Sequence, residues 1–261
     1  MPEGLEAEIW RRSIEELVGR TIADIWVDPR VSDPAVVALA GQRIDAVVRH
    51  GKIVLVMVGG EALGLHFGMT GRVIVDGAAP IESLEYSSTR DRPEWDTLRL
   101  FTAAGSSAES EIVPALRVND PRRLGRLSLD PDVSKLGVDI FEVSEVSLRA
   151  ALDGRRAAIK SLLLDQSVIA GLGNLCADEV LWWAAIAPTR RADGLLDSEI
   201  GDLVGAVRRR LPIMLGLGGS TMGTLDPDRR RAAGPCPRDG SPLERSSIGG
   251  RTAVWCPDHQ R

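Results

Sequence analysis

The sequence has few cysteines, no long apolar run and no excess of positive charge. Its 261 residues include only three cysteines, too few and too unfavourably spaced for a disulfide framework. No stretch of about twenty apolar residues occurs, so no membrane-spanning helix is predicted. The N-terminus, Met1-Pro2-Glu3, lacks the basic and apolar regions of a signal peptide, and a cytoplasmic location follows by default.

The negative net charge of −5 argues, taken alone, against a protein that binds nucleic acid. The charges are segregated, however, and a basic face on an acidic protein is enough to follow a phosphate backbone. A single arginine cluster is often only a solvated surface, so charge alone does not decide the class of partner. The arginines gather in three places, residues 122–126, 208–210 and 229–231.

The apolar pattern predicts one helix, then strands, then helices. With 44% apolar residues, the chain can bury a sizeable core and hold two domains. Apolar residues at helical spacing predict a helix near residues 3–19, and short alternating runs predict strands from residue 21 to about 128. After a polar hinge at 128–138, helices predominate and include one at 168–172. Residues 226–235 are predicted to be flexible.

The last residues, 236–261, are too few to bury a core unaided and need another source of stability. Two residue pairs with two-residue spacers, CPRD and CPDH, are joined by a segment of hairpin length. Such pairs suit the tetrahedral geometry of a structural Zn²⁺ ion, and Asp is the least usual of these ligands. The alternative is a hairpin that binds no metal and packs by its apolar residues. The predicted ligands are Cys236, Asp239, Cys256 and His259.

The stretch 159–191, IKSLLLDQSVIAGLGNLCADEVLWWAAIAPTRR, places two glycines directly before a helix. Glycines there let the backbone pass close to a bulky neighbour and leave the first N–H groups of the helix free for a phosphate. Asn174 is placed either to cap that helix or to donate to the same phosphate. The alternative is an ordinary αα-hairpin with a glycine-containing turn.

The full 159–191 string closely resembles the helix–two-turn–helix of the formamidopyrimidine-DNA glycosylase and endonuclease VIII family of base-excision enzymes. The start of the chain, PEGLE, and the spacing of the C-terminal pairs resemble that family too, although the family has four cysteines in its hairpin. The resemblance implies an α+β protein with three parts. They are an N-terminal helix plus β-sandwich (1–128), a helical domain with the helix–two-turn–helix (129–225), and a small zinc-finger-like β-hairpin (226–261).

The resemblance also implies a function. The protein would be a monomeric, bacterial-type, nucleoid-associated DNA glycosylase with AP lyase activity, acting on oxidised bases in damaged double-stranded DNA and not on membranes. Removal of Met1 would leave Pro2 with a secondary amine that attacks the sugar C1′, and β/δ-elimination would cleave the strand. Glu3 would protonate the ring oxygen or shuttle protons, with Glu6 in the same catalytic set. Taken alone, Met-Pro-Glu is a commonplace start.

Further residues match the family's DNA contacts. Extrusion of a nucleotide leaves a void in the stack, and Met69 matches the methionine that fills it. Arg122 matches the arginine facing the opposite base, and Leu124 stands at the position of a wedge phenylalanine. Without the resemblance, Met69 would be read as ordinary core. Four residues match phosphate contacts, and one of them, the strand-start lysine, also assists base release: Lys52, Lys160, Asn174 and Arg251.

Glu179 is expected to support the helical motif from inside, and Cys176 to be a small buried apolar residue. The segment between Gly219 and Cys236 is shorter than the family loop that closes over oxidised guanine, which implies oxidised pyrimidines, further-oxidised purines or abasic sites as substrates. The rival interpretation is a non-catalytic nucleic-acid-binding protein whose binding would persist without Pro2 and Glu3.

Overall fold

The structure, a computed structural model, describes residues 2–85, 87–103, 113–232 and 234–261. It divides into two compact units. The first contains Pro2 and Glu6–Val133, and the second contains Glu3–Leu5 and Ser134–Arg261. The boundary at Val133 lies inside the segment that the sequence predicts as a hinge, and residues 226–261 are part of the second unit.

The first unit contains most of helix α1 (Gly4–Glu15) and two four-stranded antiparallel sheets. One sheet has the strand order β1-β6-β7-β5 and the other has the order β2-β3-β4-β8. The strands are β1 (Ile22–Val27), β2 (Ile44–His50), β3 (Ile53–Val58), β4 (Glu61–His66), β5 (Arg72–Val75), β6 (Asp96–Thr102), β7 (Leu116–Asn119) and β8 (Arg126–Leu129).

Both sheets contribute to one apolar core, which explains the alternating sequence pattern. In β3 every second residue points inward, so that Val54, Val56 and Val58 are fully buried. The helix packs its apolar side on the same core, where the rings of Trp10 and Phe67 lie 4.3 Å apart. The turns between these strands therefore extend from two sheets that pack on one shared core.

The second unit is mainly helical and ends in a two-stranded hairpin. Its apolar core lies among the helices, and the hairpin forms a smaller cluster with Trp182 and Leu225. A short parallel strand pair, β9 (Val138–Asp139) and β10 (Ile169–Ala170), joins the unit's start to the helical motif. The helices and the hairpin are α2 (Glu145–Leu152), α3 (Ile159–Leu164), α4 (Asn174–Trp183), α5 (Asp197–Leu217), α6 (Pro227–Ala232), β11 (Glu244–Ile248) and β12 (Arg251–Trp255).

Two sequence predictions about this unit are wrong. Residues 168–172 do not form a helix: Ile169 and Ala170 pair with β9, and Gly171 adopts a φ of +111° that a helix does not allow. Most of the segment predicted to be flexible forms α6, and its Arg230 is only 6% exposed because the side chain reaches a buried carboxylate. Within the described ranges, no helix combines the length and the apolarity needed to cross a membrane.

Candidate functional site

The Glu3 carboxylate occupies the N-terminus of α4. It accepts hydrogen bonds from the backbone N–H groups of Gly173 at 2.9 Å, Leu175 at 2.8 Å and Cys176 at 3.1 Å. The side chain is 1% exposed, and its neighbour Pro2 is buried. The prediction that these N–H groups are free for a phosphate is therefore wrong, because a carboxylate of the chain itself satisfies them.

The glycines before α4 make room for this carboxylate. A Cβ atom on Gly173 would lie 2.3 Å from Cδ of Glu3, which is far inside van der Waals contact. Gly171 has positive φ, and its carbonyl accepts a 2.8 Å hydrogen bond from the N–H of Gly4. The close backbone approach predicted from the sequence is present, but the bulky neighbour is Glu3.

Asn174 does not cap α4. The N-cap position belongs to Gly173, and Asn174 is the first helical residue. Its side chain is half-buried, and Oδ1 has no hydrogen-bond partner among the described residues. Of the two roles predicted for Asn174, capping is excluded and donation to a phosphate is left.

Lys160 is fully buried, contrary to the prediction that it contacts a phosphate. Its ammonium lies 2.6 Å from Oδ1 of Asp178 and donates to the Thr252 carbonyl at 2.9 Å. Burial lowers the pKa of Lys160, and the nearby Asp178 carboxylate partly offsets that effect. Oδ2 of Asp178 also accepts hydrogen bonds from Nη1 of Arg230 at 2.6 Å and from the backbone N–H of Val254 at 3.0 Å. Lys160 thus joins α3 to α4 and to β12 inside the unit.

Two expectations for α4 are confirmed. Glu179 is 1% exposed and accepts hydrogen bonds from the backbone of Thr224 and Leu225 and from the Trp183 indole, each at 2.9 Å. It therefore supports the motif from inside. Cys176 is fully buried in the apolar core of the second unit.

In the first unit, Lys52 stands in the tight turn between β2 and β3. The turn is fixed by Arg49, whose Nη1 donates to the Gly51 carbonyl at 2.7 Å and whose Nε donates to Glu8 at 3.2 Å. Lys52 is half-buried. Glu6, the other predicted acidic residue, lies in the first turn of α1 and is 2% exposed. Arg49 and Glu8 carry no signal in the sequence pattern and were not predicted.

His66, at the end of β4, lies across the β3–β4 pair from Ile53, the residue after Lys52. The protein around its ring lowers the pKa of His66, and the positive charges of Lys52 and Arg126 lower it further. The neutral ring accepts the N–H of Gly68 at Nδ1, at 3.4 Å. Through this hydrogen bond, His66 contacts the turn that carries Met69.

The three residues predicted to fill a void in DNA lie on two turns of the first unit. Met69 is half-buried between β4 and β5 and is not part of the apolar core. Arg122 and Leu124 are exposed between β7 and β8, Leu124 by 45%. The second turn begins with Asp120, which was not predicted, although Asn-Asp-Pro is a turn signal that could have drawn attention to it.

The four residues predicted to hold a metal come together in the second unit. Their ligand atoms all lie within 4.8 Å of one another. The Cys236 sulfur is 3.5 Å from Nδ1 of His259, and Oδ2 of Asp239 is 3.1 Å from that nitrogen and 3.4 Å from the Cys256 sulfur. These three distances are close to the edges of roughly 3.3–3.8 Å that are expected around a tetrahedral zinc ion with N, O and S ligands.

Neighbouring groups orient these ligands. The other ring nitrogen of His259 lies 3.3 Å from the Trp182 carbonyl, so an N–H there directs Nδ1 toward the cluster. Oδ1 of Asp239 accepts from the N–H of Ser241 at 2.9 Å, which leaves Oδ2 facing the cluster. The donor set therefore fits a closed metal site. Arg251, exposed at the start of β12, extends from the same hairpin.

The chain matches two family models over most of its length. Residues 1–127 match the formamidopyrimidine-DNA glycosylase N-terminal domain, and residues 127–226 match the formamidopyrimidine-DNA glycosylase H2TH domain. The chain is 35% identical to the formamidopyrimidine-DNA glycosylase of Moorella thermoacetica, over 94% of each protein. It is 30% identical to that of Corynebacterium urealyticum, over 100% of this chain and 99% of the relative.

Solved structures are similar as well. The complex of Lactococcus lactis Fpg with DNA containing an abasic site matches 99% of each chain, with a TM-score of 0.80 and 26% identity. A complex of the same protein with DNA containing Fapy-dG matches 98% of this chain and 99% of its own, with the same TM-score and identity.

Proposed function

The chain belongs to the formamidopyrimidine-DNA glycosylase family, and from this premise we propose how its own residues act. It is a DNA glycosylase with AP lyase activity in base-excision repair, and its partner is damaged double-stranded DNA. One observation carries the assignment of the catalytic residues. The Glu3 carboxylate, next to Pro2 in the chain, is held in one orientation by three backbone N–H groups.

Pro2 is the nucleophile in this proposal. Once Met1 is removed, the ring nitrogen is a secondary amine, and a terminal amine with a pKa of about 8 is partly unprotonated at neutral pH. Its lone pair forms a bond to C1′ while the bond from C1′ to the damaged base breaks, and the base leaves with a proton. The Pro2 nitrogen then loses its proton, and protonation of the sugar ring oxygen breaks the C1′–O4′ bond to give an iminium between that nitrogen and C1′. The iminium acidifies the C2′ proton, and β- and then δ-elimination release the two flanking phosphates.

Glu3, Glu6 and Lys52 support this chemistry. Glu3 protonates the sugar ring oxygen or shuttles protons at the reacting carbon, which requires a carboxyl group that does not rotate away. The hydrogen bonds to α4 meet that requirement. Glu6, buried one turn further along α1, completes the acidic set. Lys52, on the turn fixed by Arg49, binds the phosphate on the lesion side and assists base release.

The remaining predicted residues bind DNA, apart from Lys160, which takes an internal structural role. Met69, Arg122 and Leu124 fill the void left by the extruded nucleotide, with Arg122 facing the opposite base. Arg251 and Asn174 contact the phosphate backbone. The half-buried Asn174 amide, whose oxygen has no partner among the described residues, is suited to donate through its nitrogen.

We propose Zn²⁺ as the ion for Cys236, Asp239, Cys256 and His259. Its contribution is structural: it closes the hairpin that carries Arg251. Metal analysis of the purified protein is expected to give one zinc per chain, and His259→Ala is expected to lose it. A metal-free wild-type protein with an intact hairpin would contradict this assignment.

The short segment between α5 and the hairpin bears on the substrate. Its helix α6 is anchored by Arg230 to Asp178, which supports the proposal that no long loop closes over an oxidised guanine. Oxidised pyrimidines, further-oxidised purines or abasic sites are the expected substrates, in a cytoplasmic, nucleoid-associated setting. A panel of duplexes with single lesions tests this, and preferred cleavage at 8-oxoguanine would contradict it.

Borohydride trapping on abasic duplex DNA tests the mechanism. The wild type is expected to form a covalent adduct, and mass spectrometry is expected to place the adduct on Pro2. Pro2→Gly is expected to lose most of the adduct, while Pro80→Gly, at an exposed proline of the same unit that has no role in the proposal, should keep it. Absence of an adduct with the wild type would leave only a nucleic-acid-binding protein, and retention of Met1 in active protein would exclude Pro2 as the nucleophile.

A further inference from the structure

We propose that Asp120 and Thr70 are positioning residues that join the two DNA-filling turns into one preassembled unit. The turns are 67–71, which carries Met69, and 120–125, which carries Arg122 and Leu124. The inference rests on the proposed role of these three side chains in filling the void. It adds that they enter the DNA stack together, at a spacing fixed before DNA is bound.

One buried carboxylate contacts both turns. Asp120 is 1% exposed, and its Oδ1 accepts the Thr70 hydroxyl at 2.5 Å and the N–H of Arg122 at 3.2 Å. Its Oδ2 accepts the N–H of Gly125 at 2.8 Å. Hydrogen bonds to a buried charged group are stronger than those between neutral groups. A shift of one turn relative to the other would therefore break a short charge-assisted bond.

The two backbones also touch directly, and glycines permit it. Gly68 has a φ of +57°, and a Cβ atom on it would lie 2.4 Å from the carbonyl carbon and oxygen of Leu124. A Cβ on Gly125 would lie 2.7 Å from the His66 carbonyl oxygen. Because no side chain fits between them, the turns cannot slide independently without losing van der Waals contact.

Further bonds hold each turn from its outer side. The Ser87 hydroxyl donates to the Thr70 carbonyl at 2.7 Å. Arg123, with a φ of +52°, turns inward and donates to Asp28 at 2.8 Å and to the Glu94 carbonyl at 2.7 Å. Anchoring Arg123 inward leaves its neighbours Arg122 and Leu124 on the exposed side. The Thr70–Asp120 bond is thus the side-chain link between two turns that are each already ordered.

Preassembly has a consequence for the reaction. Filling a void in duplex DNA needs the three side chains at one spacing, and a flexible pair of turns would lose conformational entropy on binding. A single-stranded abasic oligonucleotide has no stacked partner strand to invade, so the void-filling residues contribute little there. The coupling should therefore matter for duplex substrates and not for single strands.

The test compares Thr70→Val with Thr97→Val. Both replace a buried threonine hydroxyl of the first unit, and Thr97 instead donates to the Val118 carbonyl within the sheet, at 3.2 Å. Single-turnover lyase rates are measured on abasic duplex and on abasic single strand. Thr70→Val is expected to lower the duplex-to-single-strand rate ratio by roughly tenfold or more, the effect of one lost hydrogen bond to a charge. Thr97→Val is expected to leave the ratio unchanged.

Two additional measurements keep the outcome unambiguous. Thr70→Ser, which retains the hydroxyl, is expected to restore the ratio, and comparable unfolding midpoints would show that both valine variants fold. In a duplex with a non-cleavable abasic analogue, 2-aminopurine opposite the gap is expected to report void filling with the wild type and Thr97→Val, and less with Thr70→Val. Equal ratios and equal fluorescence for the two valine variants would overturn the coupling while leaving the enzyme's chemistry intact. A wild type inactive on every damaged DNA would overturn the proposed function itself.

Discussion

Two sets of charged residues, one in each unit, have opposite surroundings. In the first unit, Arg122 stands exposed beside Leu124 on the turn 120–125, and the buried carboxylate of Asp120 accepts N–H groups of that turn. In the second unit, Glu3, Lys160 and Asp178 are all 1% exposed or less and bond to backbone or to each other. A charged residue in a DNA-binding motif can therefore be a contact or a support. The environment, and not the residue type, distinguishes the two.

The sharpest test of this contrast is Asp178→Ala. It would leave Lys160 and Arg230 as buried cations without their shared partner, and removing one member of a buried pair costs about 3–5 kcal/mol. Denaturant unfolding followed by the intrinsic fluorescence of the tryptophans, Trp182 and Trp183 among them, measures the loss of unfolding free energy. The control is Asp228→Ala, which removes an exposed ion pair to Arg231 on α6 and should cost about 0–1 kcal/mol. Equal losses of unfolding free energy for Asp178→Ala and Asp228→Ala would contradict the distinction between buried supports and exposed charges.

Glu3→Gln is expected to have the next largest effect on stability. The amide keeps one acceptor oxygen, but its NH₂ faces N–H groups of α4 that need an acceptor, at a cost of about 1–3 kcal/mol. Hydrogen exchange of the Leu175 and Cys176 amides measures the local loss. If exchange is unchanged while lyase activity falls, the carboxylate acts in catalysis without serving as the cap of α4.

Lys160 and Arg251 offer a direct comparison of an internal support with a proposed phosphate contact. Arg251→Met is expected to reduce the slope of log affinity against log salt by about 1, because one phosphate contact is lost. Lys160→Met is expected to leave the slope unchanged and to lower the unfolding midpoint instead, since its ammonium bonds Asp178 and Thr252. Fluorescence anisotropy with abasic-analogue duplex measures both slopes. A reduced slope for Lys160→Met would show that Lys160 contacts a phosphate, and it would contradict the internal role assigned to this residue.

Arg122→Ala tests the exposed side of the contrast. Unfolding stability should stay within about 0.5 kcal/mol of the wild type, because the side chain is exposed. Discrimination among bases opposite the lesion should weaken by roughly 1–3 kcal/mol, the usual value for one base contact. Arg90→Ala, another exposed arginine of the first unit, serves as the control and should leave discrimination intact. Identical discrimination in both variants would remove Arg122 from the interface.

The smallest expected effect is a pH dependence from His66. Its pKa is lowered in the folded state, so the unfolded chain binds more protons as pH falls below the ordinary value of 6.5. The contribution of His66 to the free energy of unfolding is complete above pH 6.5. It is lost as the pH falls through the lowered pKa of the folded state. His66→Asn is expected to flatten this part of the stability curve in denaturant titrations down to about pH 5. Superimposable curves for the two proteins would exclude His66 as the group responsible.

Local pattern predicted most of the fold. The eight described strands of the first unit lie between residues 22 and 129, where the sequence predicts strands from residue 21 to about 128, since alternation reports burial on one face of a sheet. The predicted helix at 168–172 failed because a five-residue apolar run does not distinguish a buried strand from a helix. Helix α6 was missed because its stability comes from Arg230 reaching Asp178, fifty-two residues earlier.

The amino-acid order by itself determined which chemistry the chain carries: a proline and a glutamate at the start, a glycine-rich entry to α4, and paired ligands at the end. Only the tertiary structure decided what each charge faces. Glu3 satisfies a helix terminus 170 residues away, and Asp120 bonds to Thr70 fifty residues earlier. Sequence spacing describes neighbours along the chain, whereas burial and hydrogen bonding depend on atoms that folding brings together from distant positions.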